Sequence, residues 1–178
     1  MLACVDVDYR PDGSAVAACL LFRDWQSPSA ASSATARIAD VAPYTPGMFF
    51  ERELPCIMRV LAEVPTRPDL VIVDGYVELD ASGRPGLGKH LFDALHREVP
   101  VVGVAKTAFR TASSAIAIRR GSGTKPLWVS AAGLDAHTAA THVTSMHGPF
   151  RLPTLLHEVD HLARTHEARS KTGNSDPP

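Results

Sequence analysis

The stretch Asp69-Leu70-Val71-Ile72-Val73-Asp74 sets four consecutive apolar residues between two acids. A strand with one face in water alternates apolar and polar residues, whereas an unbroken apolar run of this length reads as a strand covered on both faces. Parallel sheets create that situation, because their crossover helices pack on both sides. Downstream, Leu87, Leu91 and Leu95 recur at helical spacing, and Pro100-Val-Val-Gly-Val-Ala105 is a second buried run. Strand, helix and strand in that order predict a parallel βαβ unit.

Working back from this unit, residues 2–9 (LACVDVDY) and 14–22 read as two strands, joined by the turn signal Arg10-Pro-Asp-Gly13 into a hairpin. The small-residue segment 27–33 predicts a loop, and 35–41 a third strand. Pro43-Tyr44-Thr45-Pro46-Gly47 predicts a stiff, irregular loop. After it, Pro55 suits the first turn of a helix whose apolar face holds Leu54, Ile57, Met58 and Leu61. Towards the C-terminus, Leu127–Ser130 reads as a short strand, Leu134–Met146 as a helix and Leu152–Arg164 as a final helix. Three antiparallel strands, a helix and then strand–helix–strand predict an α/β fold of the ribonuclease H-like type. Its mixed central sheet, antiparallel hairpin strands first and parallel strands after, would be flanked by helices. One domain is expected over 1–168, and the polar, Pro-ended segment 169–178 is expected to be disordered. We find no internal repeat.

Composition sets few exclusions. At 45% hydrophobic and 21% charged, the 178 residues can build an ordinary core. The net charge of −1 gives no global sign of a polyanionic partner, but a patch suffices for one. The segment 97–125 carries Arg97, Lys106, Arg110, Arg119, Arg120 and Lys125 with Glu98 as its only acid, either a solvated face or a phosphate track. Cys4, Cys19 and Cys56 are odd in number, lack CxxC spacing and in two cases lie in apolar runs, so buried reduced thiols and a cytoplasmic location are expected. The N-terminus opens almost directly in a strand-like run without a signal core, and the longest apolar runs fall far short of the roughly 20 residues of a membrane span, so no membrane role is expected.

The chemistry is carried by acids at the ends of buried strands. Asp6 and Asp8, two apart, face the same side of the first strand. Asp74 closes the strongest strand and is followed by Gly75. In open α/β sheets the crevice beyond the carboxyl ends of the strands is where ligands bind. An aspartate inside Ala3-Cys-Val-Asp-Val7 is costly to bury without a positive partner. A salt bridge or a turn-capping role would explain either acid alone; for Asp6 and Asp74 together a divalent cation is the better account. Hard ions such as Mg²⁺ take oxygen ligands. Glu53 is a third acid, at the start of a helix beginning near Leu54 or Pro55, where attraction to the helix dipole alone would explain it. His142 and His147 are five apart, off the spacing of a helical metal pair, whereas His157 and His161, beside Asp160, have it. Pairs at that spacing arise readily on surface helices.

Several segments resemble the endonuclease V family of inosine-directed nucleases. Val5-Asp6-Val7-Asp8-Tyr9 is similar to its first catalytic strand, and Pro43–Gly47, with Phe49 or Phe50 and then Arg52-Glu53, to its wedge loop and following glutamate. Asp69–Gly75, Gly86–Leu91 and Val101–Lys106 match in order, and Arg151-Leu-Pro-Thr with Asp160 resembles the closing helix. The similarity runs from about residue 3 to 165. It implies a ribonuclease H-like endonuclease dependent on Mg²⁺ or Mn²⁺ that cuts 3′ to inosine in DNA or RNA. By position, Asp6 and Asp74 would be primary metal ligands, Glu53 a ligand of a second metal or a positioner of water, and Asp160 an auxiliary acid. Lys106 would contact the substrate phosphate, Tyr44 would act as the wedge with Pro46 and Gly47 around it, and Gly75 would lie against the substrate. An exposed strand-end lysine and a loop tyrosine folded over the core are the plainer accounts of Lys106 and Tyr44.

The chain departs from the family at Tyr76–Pro85, where a His/Gly-containing basic stretch is usual and Glu78 and Asp80 stand instead. It also lacks the helical lead-in that many relatives carry. Two alternatives follow: the same chemistry on a substrate without inosine, or a nucleic-acid-binding protein of this fold without catalysis. Retention of Asp6, Glu53 and Asp74 together argues against the second. Oligomeric state is not legible.

Overall fold

The computed structural model describes residues 1–43, 45, 47–109 and 114–166. Their strands form one mixed sheet in the order β3-β2-β1-β4-β5-β7-β6. Strands β1 (Leu2–Tyr9), β2 (Ala15–Phe22) and β3 (Ser32–Ile38) form the antiparallel meander. Strand β4 (Leu70–Asp74) lies parallel to β1, with Val73 opposite Val5. Strand β5 (Val101–Ala105) lies parallel to β4. Strand β7 (Leu127–Ala132) returns antiparallel to β5 and carries the short β6 (Ile116–Ile118) on its far side. The sheet is the ribonuclease H-like arrangement that the sequence implies.

Helices cover both faces. Side chains alternate along β1 and β4: Cys4 and Ile72 join one core with α3 (Ala136–Ser145) and α4 (Thr154–Thr165). Val5 and Val73 join the other, with α1 (Phe49–Leu61) and α2 (Leu87–Ala94). Every residue of β2 is buried, and its Ala15, Ala17, Ala18 and Cys19 are small enough for helices to approach from either side. All three cysteines are buried and free of disulfides. Among the described residues no helix is long and apolar enough to cross a membrane.

Several elements differ from expectation. Strand β3 begins at Ser32, inside the expected loop, because the backbones of Ser32 and Ser33 pair with Leu21 and Leu20 at the sheet edge. Helix α1 begins at Phe49, so Pro55 lies within it and not in its first turn. Tertiary contacts extend this helix upstream of its proline: Phe50 stacks on His90 of α2 at 3.6 Å and Phe49 meets Tyr9 edge-on at 6.3 Å. Helix α4 starts at Thr154, after Leu152 and Pro153. Strand β6 was not expected, since three residues are too few to show a period. Residues 167–178 lie outside the described part, and with them the expected tail.

Candidate active site

Strand register brings the key acids together. Val5 pairs with Val73, so Asp6 on β1 and Asp74 on β4 stand side by side where β4 ends. Asp74 in turn pairs with Val104 of β5, and Lys106 follows that strand immediately. Three neighbouring parallel strands therefore present Asp6, Asp74 and Lys106 at one edge. Asp160 reaches the same place from α4, and Glu53 from α1. All five line a cleft of about 370 Å³. A smaller cavity of about 20 Å³ shares Asp6, Asp74 and Lys106 with it and is otherwise walled by apolar side chains such as Ile72 and Leu152.

Lys106 is the local counter-charge. Its Nζ donates to Asp74 Oδ2 at 2.6 Å and lies 3.8 Å from Asp160 Oδ1. Burial works to lower its pKa, but the bond to Asp74 and the neighbouring acids leave it raised. Asp160 also accepts from Arg164 at 2.9 Å, an i,i+4 pair.

The carboxylates are strained electrostatically. Burial, then repulsion from Asp74 and Asp160, raises Asp6 to about 7, against the opposing pull of the Val7 N–H that donates to Asp6 Oδ1 at 2.9 Å. Burial, then Asp6 and Asp74, raises Glu53 to about 8. Glu53 is 5% exposed, and its Oε2 has no hydrogen-bond partner. Its placement a full turn inside α1 removes the helix-dipole account, which applies to the first turn.

A hard cation answers this arrangement in kind: several carboxylates, one of them buried with an orphaned oxygen, share one cleft with a single ammonium inside it. Among the described residues, however, no three His, Cys, Asp or Glu side chains are drawn together into a finished ligand cage. Asp6, Asp74 and Glu53 are the groups able to hold an ion, with Lys106 now spanning the gap between Asp74 and Asp160.

The other expected residues are dispersed. Gly75 follows Asp74 directly, and its N–H donates to Val104 O at 3.2 Å. Gly47 is exposed two residues ahead of α1, next to the Arg84 guanidinium. Tyr44 and Pro46 lie outside the described residues. Asp8 pairs with Arg10 at 2.8 Å. His157 and His161 are exposed and line none of the cleft, while His142 stacks on Trp25. In the divergent segment Asp80 Oδ1 accepts from Ser82 N at 2.9 Å, Ser82 Oγ at 2.6 Å and Arg84 N at 3.2 Å, bonds within its own turn that lower its pKa and keep it ionised.

Sequence reading missed two cleft neighbours. Arg164 lines the cleft, and its i,i+4 spacing from Asp160 was a readable signal. Arg52 lies 3.7 Å over the Tyr9 ring, beside Glu53, a long-range contact with no local signature.

Comparison with known proteins bears on this site. The profile of one family, Endonuclease V, matches residues 1–116. The endonuclease V of Streptomyces coelicolor is 31% identical over 180 residues, spanning 90% of this chain and 76% of the relative. Among solved structures, the endonuclease V of Streptomyces avermitilis superposes with a TM-score of 0.72 at 26% identity, over 92% of this chain and 79% of that one. Endonuclease V of Ciona intestinalis, in complex with a 23mer DNA containing an inosine followed by a ribo-adenosine, shares the fold with a TM-score of 0.73 at 18% identity, over 92% and 83% of the two chains.

Proposed function

This chain belongs to the endonuclease V family, and from that premise we propose that it is a divalent-metal-dependent endonuclease hydrolysing a phosphodiester bond 3′ to inosine in DNA or RNA. The observation that carries this reading is the meeting of Asp6, inside β1, and Asp74, at the end of the adjacent parallel β4, with the buried carboxylate of Glu53, whose Oε2 is unpartnered among the described residues, in one cleft. The inosine-containing DNA held by the Ciona relative supports the choice of substrate.

Asp6, Asp74 and Glu53 would hold Mg²⁺ or Mn²⁺. Such an ion, when bound, acidifies water and stabilises both oxygens of an in-line displacement at phosphorus. Lys106 brings a positive charge to the scissile phosphate, and Asp160 and Asp74 fix where that ammonium points. Glu53, buried and with Oε2 unpartnered among the described residues, would hold a second ion or position the attacking water. Tyr44, Pro46 and Gly47 would separate or support the displaced base, whose unstacking costs a few kcal/mol, with Gly75 beside the phosphate. Asp80 is hydrogen-bonded within its own turn, which lowers its pKa and keeps it ionised, so the segment 76–85 remains acidic. The sheet and its two cores support a single catalytic unit over 1–168, and three buried free thiols support the cytoplasm as its place of action.

The test is cleavage of labelled single- and double-stranded oligonucleotides, DNA and RNA, with and without one inosine, in Mg²⁺ or Mn²⁺, beside Asp74→Asn. Inosine-dependent cutting lost in the variant is expected. Cutting indifferent to inosine would move the specificity elsewhere, and no cutting by the wild type would overturn the catalytic roles.

A further inference from the structure

Among the described residues four large hydrophobic side chains are exposed: Met48, Phe49, Phe109 and Phe150. Single exposed apolar residues are ordinary. Phe150 differs in being the most exposed, at 75%, on a backbone held by a buried arginine. The buried Arg120 donates to Phe150 O at 3.0 Å, Thr144 O at 3.1 Å and Gly148 O at 3.3 Å, and also to Met146 O. Among the described residues it has no acidic partner, so its whole guanidinium is committed to fixing the segment that presents Phe150. Gly121 closes the other side: its φ is +59°, and a Cβ there would lie 2.2 Å from Pro149 O, an approach that only glycine permits.

This arm adjoins the cleft. Arg151 donates to Pro126 O at 2.8 Å and to the carbonyl of Lys106, and Leu152 lines the smaller cavity with Asp6 and Asp74. The loop packed against it carries Arg119 and Lys125, both exposed and in no ion pair among the described residues. An exposed aromatic on a fixed backbone, with unpaired cations on the adjoining loop, is the footprint of single-stranded nucleic acid, whose bases stack on aromatic rings while cations follow the backbone.

We propose that Phe150 is a stacking platform for an unpaired nucleobase of the substrate strand, with Arg119 and Lys125 meeting the phosphates beside it. The inference rests on the nuclease reading above and deepens it, since it assigns a preference for unpaired strand next to the cut. Preorganisation gives the platform its use: with the Phe150 backbone already fixed, only its side-chain torsions are left to order when a base lands on the ring.

The test is anisotropy of a labelled inosine-containing single strand and its duplex, titrated with the full chain as Asp74→Asn and with Phe150→Ala or Phe150→Trp added. Phe150→Ala is expected to weaken single-strand binding by roughly five- to a hundredfold, more than duplex binding, and Phe150→Trp to retain it. In the otherwise wild-type enzyme Phe150→Ala should raise KM with kcat nearly unchanged, and the unfolding midpoint should stay put because the side chain is exposed. Arg119→Ala and Lys125→Ala should each lower the slope of log affinity against log salt by about one. Unaltered single-strand binding by Phe150→Ala, in a protein that cuts at inosine, overturns the platform and leaves the nuclease intact. A wild type that neither cuts nor binds these strands overturns both, and a protein partner would then be the occupant of the Phe150 surface.

Discussion

Lys106 Nζ and Asp74 Oδ2 lie 2.6 Å apart, so the ends of β4 and β5 are joined through an ammonium at the point where an ion held by Asp6 and Asp74 would have to sit. The two cations compete for one carboxylate. An ion held by Asp74 would weaken its bond to Lys106 and leave more of the ammonium's charge for the phosphate, with Asp160 still beside it.

The competition separates binding from catalysis. Lys106→Ala should lower cleavage by about 10²–10³-fold, the scale for removing one preorganised charge-stabilising group. It should also tighten Mn²⁺ binding, because Asp74 is left without a partner. Calorimetric Mn²⁺ titration beside single-turnover cleavage checks both halves, and weaker Mn²⁺ binding would show that Lys106 supports the ion instead of opposing it.

The raised carboxyls set a pH dependence of stability in metal-free protein. Asp6 is raised to about 7 and Glu53 to about 8, each led by burial, from ordinary values near 4 in the unfolded chain. The folded state therefore binds these protons more tightly than the unfolded state. Their contribution is fully present below about pH 4 and is lost as pH rises through about 7 to 8. The exposed acids lowered by partners, Asp12, Asp80 and Asp93, act below this window. Thermal melts in chelator should fall in midpoint from about pH 5 to 8, Glu53→Gln should flatten the curve and raise it at the alkaline end, and Mn²⁺ should restore the wild type there. A wild-type profile that rises over this range would refute the burial of charge on which the site depends.

Much of this was readable in the residues, for reasons that differ by element. Asp69–Asp74 announced itself through an unbroken apolar run, and Asp6 and Asp74 through acids adjoining such runs. Glu53 was visible as an acid but misplaced, because Phe50 on His90 and Phe49 against Tyr9 set where α1 starts, and such contacts have no local pattern. Asp80 was visible as a charge, but its role as the acceptor that closes its own turn was not. Arg120 and Arg151 were counted only as basic residue and family motif; their partners are backbone carbonyls, which carry no residue identity.

Arg120 yields a stability prediction of its own. It is 6% exposed and satisfied wholly by carbonyls of residues 144–151. Arg120→Ala strands those acceptors and should destabilise by about 3–5 kcal/mol, the range for dismantling a buried charged network. Arg120→Lys should recover little, since an ammonium cannot reproduce the planar fork. Urea unfolding measures both, and a loss under about 1 kcal/mol in Arg120→Ala would mean that water replaces the guanidinium freely.

Gly103 connects sheet packing to catalysis. A Cβ on this residue, in the middle of β5, would lie 2.5 Å from Gly75 O and 2.9 Å from Ser130 Oγ. The first obstacle is backbone and belongs to the bend that follows Asp74. The second is a buried hydroxyl that already accepts from Val77 N at 2.9 Å. Neither can yield without moving the turn that aims Asp74. Gly103→Ala should therefore destabilise by about 1–3 kcal/mol, as overpacked cores do. It should also slow cleavage disproportionately, since a displacement of about 1 Å at a reacting group can cost on the order of a hundredfold. Adding Ser130→Ala should not restore the rate, because the Gly75 carbonyl still blocks the methyl and Val77 N loses its acceptor. Steady-state cleavage of a preferred inosine substrate by the single and double variants, at a temperature where both remain folded, distinguishes this from general loss of stability. Wild-type rates in Gly103→Ala would show that the strand end adjusts without moving Asp74.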